Sequence, residues 1–230
     1  MIPGNSHRVE SNQEDSHPDL SKIVKKHLTT SWEKPIGLPT LEAWQELKPL
    51  LIDNPNFILD SGCGTGDSSV FLSKQFPDSL IVGVDKSEVR LSKVGKSGKP
   101  GKDESHLESI PSNVHYVRAD LNDLWRLMVQ DNIFPVKHFL FYPNPWPKSI
   151  HFKRRFHGHS VFPYLVKLCK HIEVRSNWEL YVKEFAEAWS IAQNGEFKCE
   201  EFIPDSADFV SAFEKKYVES GHTFWKMSSL

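Results

Sequence analysis

The sequence predicts an α/β fold with a mostly parallel, doubly wound sheet, and three observations support this prediction. Short apolar runs alternate with amphipathic segments through the first three-quarters of the chain, as in a parallel sheet covered by helices on both faces. The 230 residues, of which 39% are hydrophobic, suffice for one domain of this kind. A glycine-rich turn at residues 62–66 directly follows the first apolar run.

The individual elements follow from periodicity along the chain. Leu41, Trp44, Leu47 and Leu51 form one helical stripe, which Pro49 is expected to end or kink. Predicted strands cover residues 57–60, 80–84, 114–118, 136–142, 171–175, 197–203 and 222–227. Predicted helices cover residues 40–52, 68–76, 121–129, 161–169, 178–191 and 208–219, with a short one beginning near residue 87.

Composition sets the domain boundaries and excludes several classes of protein. Residues 1–25 are predicted to be a disordered polar tail, residues 26–230 a single domain, and residues 95–113 a flexible insert rich in Gly and Lys. No apolar run reaches membrane-spanning length, and the net charge of −2 leaves nucleic-acid contacts to local charge. The three cysteines show neither metal spacing nor a disulfide framework, which indicates a reducing, cytoplasmic setting.

Acidic residues and glycines at successive strand ends predict a cofactor site. They are Asp60, Gly62, Gly64, Gly66, Asp85 and Asp120. Ligands of such sheets lie at the carboxyl ends of the strands, where Asp85 would accept hydrogen bonds from ribose hydroxyls and Asp120 from an adenine amino group. The spacing departs from the dinucleotide pattern, and a carboxylate before the turn suits a cationic, phosphate-free cofactor. S-adenosylmethionine is such a ligand. The alternative is that the three glycines only form a tight turn and bind no cofactor.

A proline-rich corner follows the predicted strand 136–142. Pro143, Pro145 and Pro147 fix φ at alternate positions and restrict the residues between them. Asn144 and Trp146 are therefore presented rigidly, which suits holding a flat base.

A cationic segment continues from this corner, with no acidic residue between Pro143 and Ile172. Its predicted phosphate-binding residues are Lys148, Lys153, Arg154 and Arg155. An ordinary solvated basic face is the alternative, but the position beside the cofactor site favours a polyanionic substrate. The His157 and His159 pair lacks an evident third ligand, so no metal site is predicted.

Three further segments make the chain resemble the TrmB-type tRNA (guanine-N7-)-methyltransferases. They are the proline corner with its basic continuation, the run Arg175-Ser-Asn-Trp-Glu-Leu-Tyr181, and Ser211-Ala-Phe-Glu214 followed by Gly221-His-Thr-Phe-Trp225. The resemblance covers nearly everything after the N-terminal tail. It implies a Rossmann-like class I S-adenosylmethionine-dependent methyltransferase fold, and transfer of a methyl group to guanine N7 in tRNA.

The resemblance also assigns residues. It places Asp60, Asp85, Asp120 and Asn144 at the cofactor, and it places Lys148, Asn177, Glu179, Ser211 and Glu214 at the substrate. Asn144 and Asn177 stand where the family has aspartate, so the chain is a divergent member. Guanine N7 has a free lone pair, so catalysis is alignment and charge stabilisation, for which Asn144 and Glu214 are the candidates.

These departures leave two alternatives open. Asparagine supplies one acceptor, one donor and no charge, whereas a carboxylate accepts from both guanine donors. The resemblance still predicts that the chain methylates guanine N7 in tRNA, as a monomer or homodimer. The alternatives are a divergent relative that binds RNA without guanine-N7 activity, or one that methylates another acceptor.

Overall fold

The computed structural model describes residues 6–95 and 110–229, which form one layered α/β unit. The strands are β1 (Ile58–Ser61), β2 (Ile81–Asp85), β3 (Val114–Arg118), β4 (Lys137–Phe141), β5 (Ile172–Ser176), β6 (Glu200–Phe202) and β7 (Phe224–Ser228). The helices are α1 (Leu20–Thr29), α2 (Leu38–Asp53), α3 (Asp67–Gln75), α4 (Glu88–Leu91), α5 (Leu121–Gln130), α6 (Phe162–Leu168), α7 (Glu179–Gln193) and α8 (Ala212–Glu219). Two 3₁₀ turns, Ser149–Arg154 and Phe156–Gly158, follow β4.

The described strands form one sheet in the order β3-β2-β1-β4-β5-β7-β6. Neighbours from β3 through β5 pair in parallel, whereas β7 runs antiparallel to both β5 and β6. The order reverses between β1 and β4, and ligands of open α/β sheets bind at this switch point. The topology therefore places the residues after β1, β2, β3 and β4 around one crevice.

Alternate residues of each strand feed two apolar layers. On one face, Leu59, Val82, Leu140 and Val174 belong to a large buried cluster that includes residues of α1, α2, α5, α6 and α7. On the other face, the smaller cluster is Ile58, Leu72, Ile81, Phe139, Phe141 and Val210. Helices on both faces confirm the predicted doubly wound arrangement.

The N-terminal prediction is wrong for the described part of the tail. Helix α1 begins at Leu20, with Leu20 and Val24 buried. Before it, the Gln13 amide donates to Glu184 Oε1 (2.6 Å), and the backbone N–H of His17 donates to the same oxygen (2.9 Å). Because Glu184 is completely buried, these donors satisfy a carboxylate that the rest of the domain leaves partly free. The predicted insert lies mostly outside the described residues.

Two local expectations also change. Helix α2 continues through Pro49 to Asp53. Helix α8 begins at Ala212 rather than at residue 208, because the Ser211 side chain accepts from the Glu214 backbone N–H and caps the helix there. Among the helices of residues 6–95 and 110–229, none has the length and apolar character needed to cross a bilayer.

Candidate active site

Two adjoining cavities lie at the carboxyl ends of the parallel strands. The first, called here the Asp85 cavity, has a volume of about 440 Å³, and its lining includes Asp85 and Asp120. The second, called the Asn177 cavity, has a volume of about 410 Å³, and its lining includes Asn177 and Ser211. Residues 142–144 line both cavities. The two spaces are therefore neighbours with a common wall at the proline corner.

The glycine turn forms the floor between β1 and α3. Gly62, Gly64 and Gly66 have φ values of +82°, +59° and +91°, a region that residues with a Cβ rarely adopt. A Cβ at Gly66 would also lie 2.7 Å from the Tyr116 hydroxyl, whereas Gly62 has nothing within 4 Å of that position. Gly62 and Gly64 therefore bring bare backbone to the edge of the cavities, as predicted.

Asp60 lies beneath this turn and is only 1% exposed. Its Oδ2 accepts from the hydroxyls of Ser68 (2.6 Å) and Ser69 (2.7 Å), whereas Oδ1 is buried without a partner in the described structure. Burial raises the pKa of Asp60 to about 6, against the lowering effect of the two serine hydroxyls. A buried carboxylate oxygen without a donor fits a cationic ligand group, such as the ammonium of S-adenosylmethionine.

Asp85 and Asp120 are the other two acidic strand ends. Asp85 is 5% exposed, and it accepts from the backbone N–H groups of Ser87 (2.7 Å) and Gly64 (3.2 Å). Asp120 caps α5 through the Asn122 N–H (3.0 Å). Asp85 and Asp120 both line the Asp85 cavity, whereas Asp60 lies buried beneath its floor and belongs to neither lining. The two lining carboxylates fit the hydroxyl and amino groups of a nucleoside.

A basic side chain that the sequence analysis missed stands in the same crevice. Arg90 Nη1 lies 3.2 Å from Asp85 Oδ2, and Arg90 lines both cavities. Lys86 similarly approaches Asp120 at 3.7 Å. No sequence motif indicates Arg90. The short helix α4 turns its side chain back toward Asp85, and the spacing of five residues does not reveal this contact.

The proline corner is held in a strained conformation. Tyr142 and Trp146 have φ values of +49° and +46°, which are uncommon for residues with bulky side chains. Between them, Asn144 is exposed and lines both cavities. The Arg154 guanidinium lies 4.6 Å from the centre of the Trp146 ring, which is a cation–π contact. The rigid presentation of Asn144 and Trp146 stays a prediction.

Arg155 is the clearest correction in the cationic segment. Its side chain is completely buried, so the prediction that it binds phosphate is wrong. It forms an ion pair with Glu184 and donates to the Trp146 carbonyl through Nε (3.2 Å) and Nη2 (3.1 Å). Although burial opposes ionisation, the bonds from His157 and Arg155 hold the pKa of Glu184 at about 2. Arg155 therefore fixes the corner from inside the protein.

Glu214 also differs from its predicted role. It is 1% exposed and lies outside the lining of both cavities, so the prediction that it orients the substrate directly is wrong. Its Oε1 accepts from the Tyr142 hydroxyl (2.5 Å) and from Arg175 Nη1 (3.4 Å), and its Oε2 accepts from the Val210 N–H (2.9 Å). Burial and the neighbouring Glu214 raise the pKa of Tyr142, so its hydroxyl remains a donor. Glu214 positions the wall residue Tyr142.

The remaining predicted residues divide into two groups. Asn177 and Ser211 line the Asn177 cavity, whereas Glu179 is exposed at the first turn of α7 and belongs to neither lining. Lys148 and Lys153 are exposed and belong to neither lining. In the described ranges, no group of three His, Cys, Asp or Glu side chains could hold a metal ion.

Three more residues of the Asn177 cavity were not predicted. Phe213 and Tyr217, one helical turn apart on α8, line it together with Val9 from the N-terminal segment. Their rings lie 6.3 Å apart. The spacing of four residues on a predicted helix was a usable signal for this pair, whereas Val9 depends on the packing of residues 6–19.

Comparison with known proteins identifies the family of the chain. The family described as "Putative methyltransferase" matches residues 54–227. A tRNA (guanine-N(7)-)-methyltransferase of Aquifex aeolicus is 27% identical over 183 residues, which cover 76% of this chain and 57% of that protein. One of Saccharophagus degradans is 30% identical over 179 residues, which cover 73% and 72%. A solved structure of an antibiotic related methyltransferase superposes with a TM-score of 0.56 at 16% identity, covering 88% and 97%.

The sheet order, the glycine turn and the acidic strand ends define a class I methyltransferase. The chain belongs to this methyltransferase family, together with the tRNA (guanine-N7-)-methyltransferases that its sequence resembles. This membership confirms the predicted fold class, the predicted enzyme class and S-adenosylmethionine as the cofactor.

Proposed function

We propose that this protein is an S-adenosylmethionine-dependent tRNA (guanine-N7-)-methyltransferase that forms 7-methylguanosine in tRNA. The names of the relatives support the substrate, although the chain spans only 57% of the Aquifex protein. The observation that carries the proposal is the wall at residues 142–144, which borders both cavities. A methyl donor in one cavity and a base in the other would meet at this wall.

The acidic strand ends would hold the donor. We expect Asp85 to accept from ribose hydroxyls and Asp120 from the adenine amino group. We expect Asp60 Oδ1, which lies beneath the cavities, to accept from an ammonium group. When bound, S-adenosylmethionine supplies an electrophilic methyl group. Arg90 occupies one acceptor position of Asp85 Oδ2, so we expect this ion pair to open when ribose hydroxyls bind there.

The acceptor cavity is suited to a base that needs no deprotonation. The carboxylate in its lining, Asp67, accepts from the Thr65 hydroxyl (3.2 Å) and the Ala212 N–H (3.3 Å), so its donors are internal. Guanine N7 offers a lone pair directly, and the protein has only to orient the ring. Asn144, Asn177 and Ser211 provide the polar groups for this orientation.

The outer cations would bind the RNA backbone. Lys148, Lys153 and Arg154 follow the corner. Among the described residues, no carboxylate oxygen lies within 4 Å of their charged nitrogens. Phosphates bind such groups with a strong dependence on salt.

We further propose that the protein acts as a monomer or homodimer in the cytoplasm, in keeping with its free cysteines.

A second candidate is a relative that binds RNA without guanine-N7 activity, or that methylates another acceptor. The observation that favours it is chemical. Asn144 in the shared wall and Asn177 in the second cavity carry amides, so neither supplies a carboxylate to offset positive charge on a methylated ring. The cofactor residues are the same in both candidates, so cofactor binding does not separate them.

Mass spectrometry of nucleosides separates the candidates. Protein, S-adenosylmethionine and tRNA from a strain without the modification are incubated, and the RNA is then digested to nucleosides. New 7-methylguanosine supports the proposal. A different methylated nucleoside identifies another acceptor, and unmodified RNA together with intact cofactor binding supports the RNA-binding relative. Asp85→Ala, which removes the ribose acceptor, serves as the inactive control.

A further inference from the structure

His222 and Asn177 form a hydrogen-bonded pair at the edge of the Asn177 cavity. The Nδ2 atom of Asn177 lies 2.9 Å from His222 Nδ1. The other ring nitrogen, His222 Nε2, lies 3.1 Å from the backbone carbonyl of Ser6. The ring also stacks on Tyr217, with centroids 5.0 Å apart, and it is only 9% exposed. His222 is therefore held on three sides.

These contacts determine the tautomer of the ring. A carbonyl oxygen only accepts, so His222 Nε2 must carry the hydrogen that bonds to Ser6. A neutral imidazole has one N–H, and Nδ1 is then an acceptor. Asn177 must present its N–H to this acceptor, because two lone pairs facing one another would repel. The contacts of the ring therefore assign the orientation of the amide.

The fixed amide leaves its carbonyl oxygen available. Asn177 Oδ1 accepts no hydrogen bond from the described residues, and Asn177 lines the cavity. Guanine presents N1–H and its amino group as donors. An acceptor facing the cavity complements these donors, whereas the flipped amide would face them with N–H groups.

We propose that His222 is a positioning residue that orients Asn177, so that the amide oxygen rather than the nitrogen faces the acceptor base. This inference rests on the proposed function for the identity of the base. It explains how an asparagine serves as a guanine acceptor: the histidine removes the ambiguity between its two ends.

The tautomer is measured directly by NMR on the full chain. Long-range ¹H–¹⁵N correlation of the imidazole nitrogens is recorded at a pH above the titration range of histidine, and the His222 signals are assigned with a His222→Gln variant. The structure predicts hydrogen on Nε2 and a free Nδ1. Hydrogen on Nδ1 would overturn the inference. This experiment needs no substrate, so it tests the orientation of Asn177 separately from the methylation of tRNA.

Two substitutions of His222 then separate the effect of its bond to Asn177 from the effect of its bond to Ser6. In His222→Asn, the amide oxygen can occupy the place of Nδ1 and accept from Asn177. In His222→Gln, the amide nitrogen can occupy the place of Nε2 and keep only the bond to Ser6. We expect His222→Gln to lower kcat for tRNA about tenfold, the effect of about one hydrogen bond, and His222→Asn to retain most of the rate. The KM for S-adenosylmethionine should stay unchanged in both.

His171→Asn is the matched control, since His171 is exposed just before β5 and its loss should leave the rate unchanged. Equal rates for His222→Asn and His222→Gln would contradict the inference. Wild-type protein that makes no 7-methylguanosine would contradict the proposed function instead, and the NMR result alone would then decide the role of His222.

Discussion

Cofactor affinity should fall as the pH falls through about 6, because Asp60 must be ionised to bind an ammonium group. Burial raises the pKa of this carboxyl to about 6, although Ser68 and Ser69 donate to its Oδ2. Oδ1 has no donor in the described structure. A cation at Oδ1 would stabilise the charged form, so binding of the cofactor and loss of the Asp60 proton are coupled.

The pKa shift of Asp60 also sets the size of the effect of pH on cofactor affinity. Raising the pKa from 3.8 to about 6 means that ionised Asp60 costs the folded protein about 3 kcal/mol. The corresponding stability is fully present below pH 3.8 and is lost as the pH rises through about 6. The cofactor offsets this cost only when Asp60 is charged. Below the pKa, the affinity should therefore fall about tenfold for each pH unit.

Calorimetric titration with S-adenosylhomocysteine over a pH series measures this coupling. Asp60→Asn should weaken binding and abolish the fall in affinity near pH 6, called here the pH step. Asp120→Asn should weaken binding at every pH and leave this step in place. Ser68→Ala removes one donor to the carboxylate and should move the step upward by about one pH unit. An affinity of the wild-type protein that does not change with pH, or a step that persists in Asp60→Asn, would refute the reasoning.

Four further substitutions test the corner. Arg154→Ala should weaken tRNA binding and reduce its salt dependence by about one phosphate contact in filter-binding assays, whereas Arg155→Ala should lower the free energy of unfolding by about 3–5 kcal/mol in urea denaturation. Asn144→Asp should raise kcat about fivefold, because a charged acceptor forms stronger hydrogen bonds; a fall in kcat would argue against alignment by this residue. Tyr142→Phe should cost about 1–3 kcal/mol of stability, because the buried Glu214 loses one of its three donors. A urea midpoint equal to that of the wild-type protein would contradict this contact.

The sheet was largely predictable from the sequence. The strand at Val114–Arg118 agrees with the prediction at both ends, and the predicted starts of β1 and β2 differ by one residue. Buried strands bounded by turn residues have a strong local pattern. The acidic residues at their ends were predictable for the same reason, since parallel strands bring their carboxyl ends together.

The errors concern residues whose roles depend on distant partners. Arg155 was assigned to phosphate because its neighbours are basic, yet Glu184 draws it into the core. Glu184 has helical spacing to the apolar residues Leu180, Tyr181 and Ala188, which was a signal that it faces the core and needs a buried cation. Ser211 and Glu214 have the spacing of a capping box, which indicated a structural role for Glu214.

The N-terminal segment shows the limit of composition as a guide. Its polar residues indicated disorder, but Leu20, Ile23, Val24 and Leu28 have helical spacing. The segment before α1 lacks such a pattern. Its order comes from hydrogen bonds to Glu184, which no local property of residues 6–19 reveals.

A crystal structure of the protein with S-adenosylhomocysteine would test the central arrangement most directly. We predict the ribose against Asp85, with Arg90 released from that carboxylate, the ammonium group near Asp60 Oδ1, and the sulfur facing the Asn177 cavity across Asn144. A ligand bound elsewhere, or one that leaves the Asp85–Arg90 ion pair intact, would contradict the proposed division of the crevice between cofactor and base.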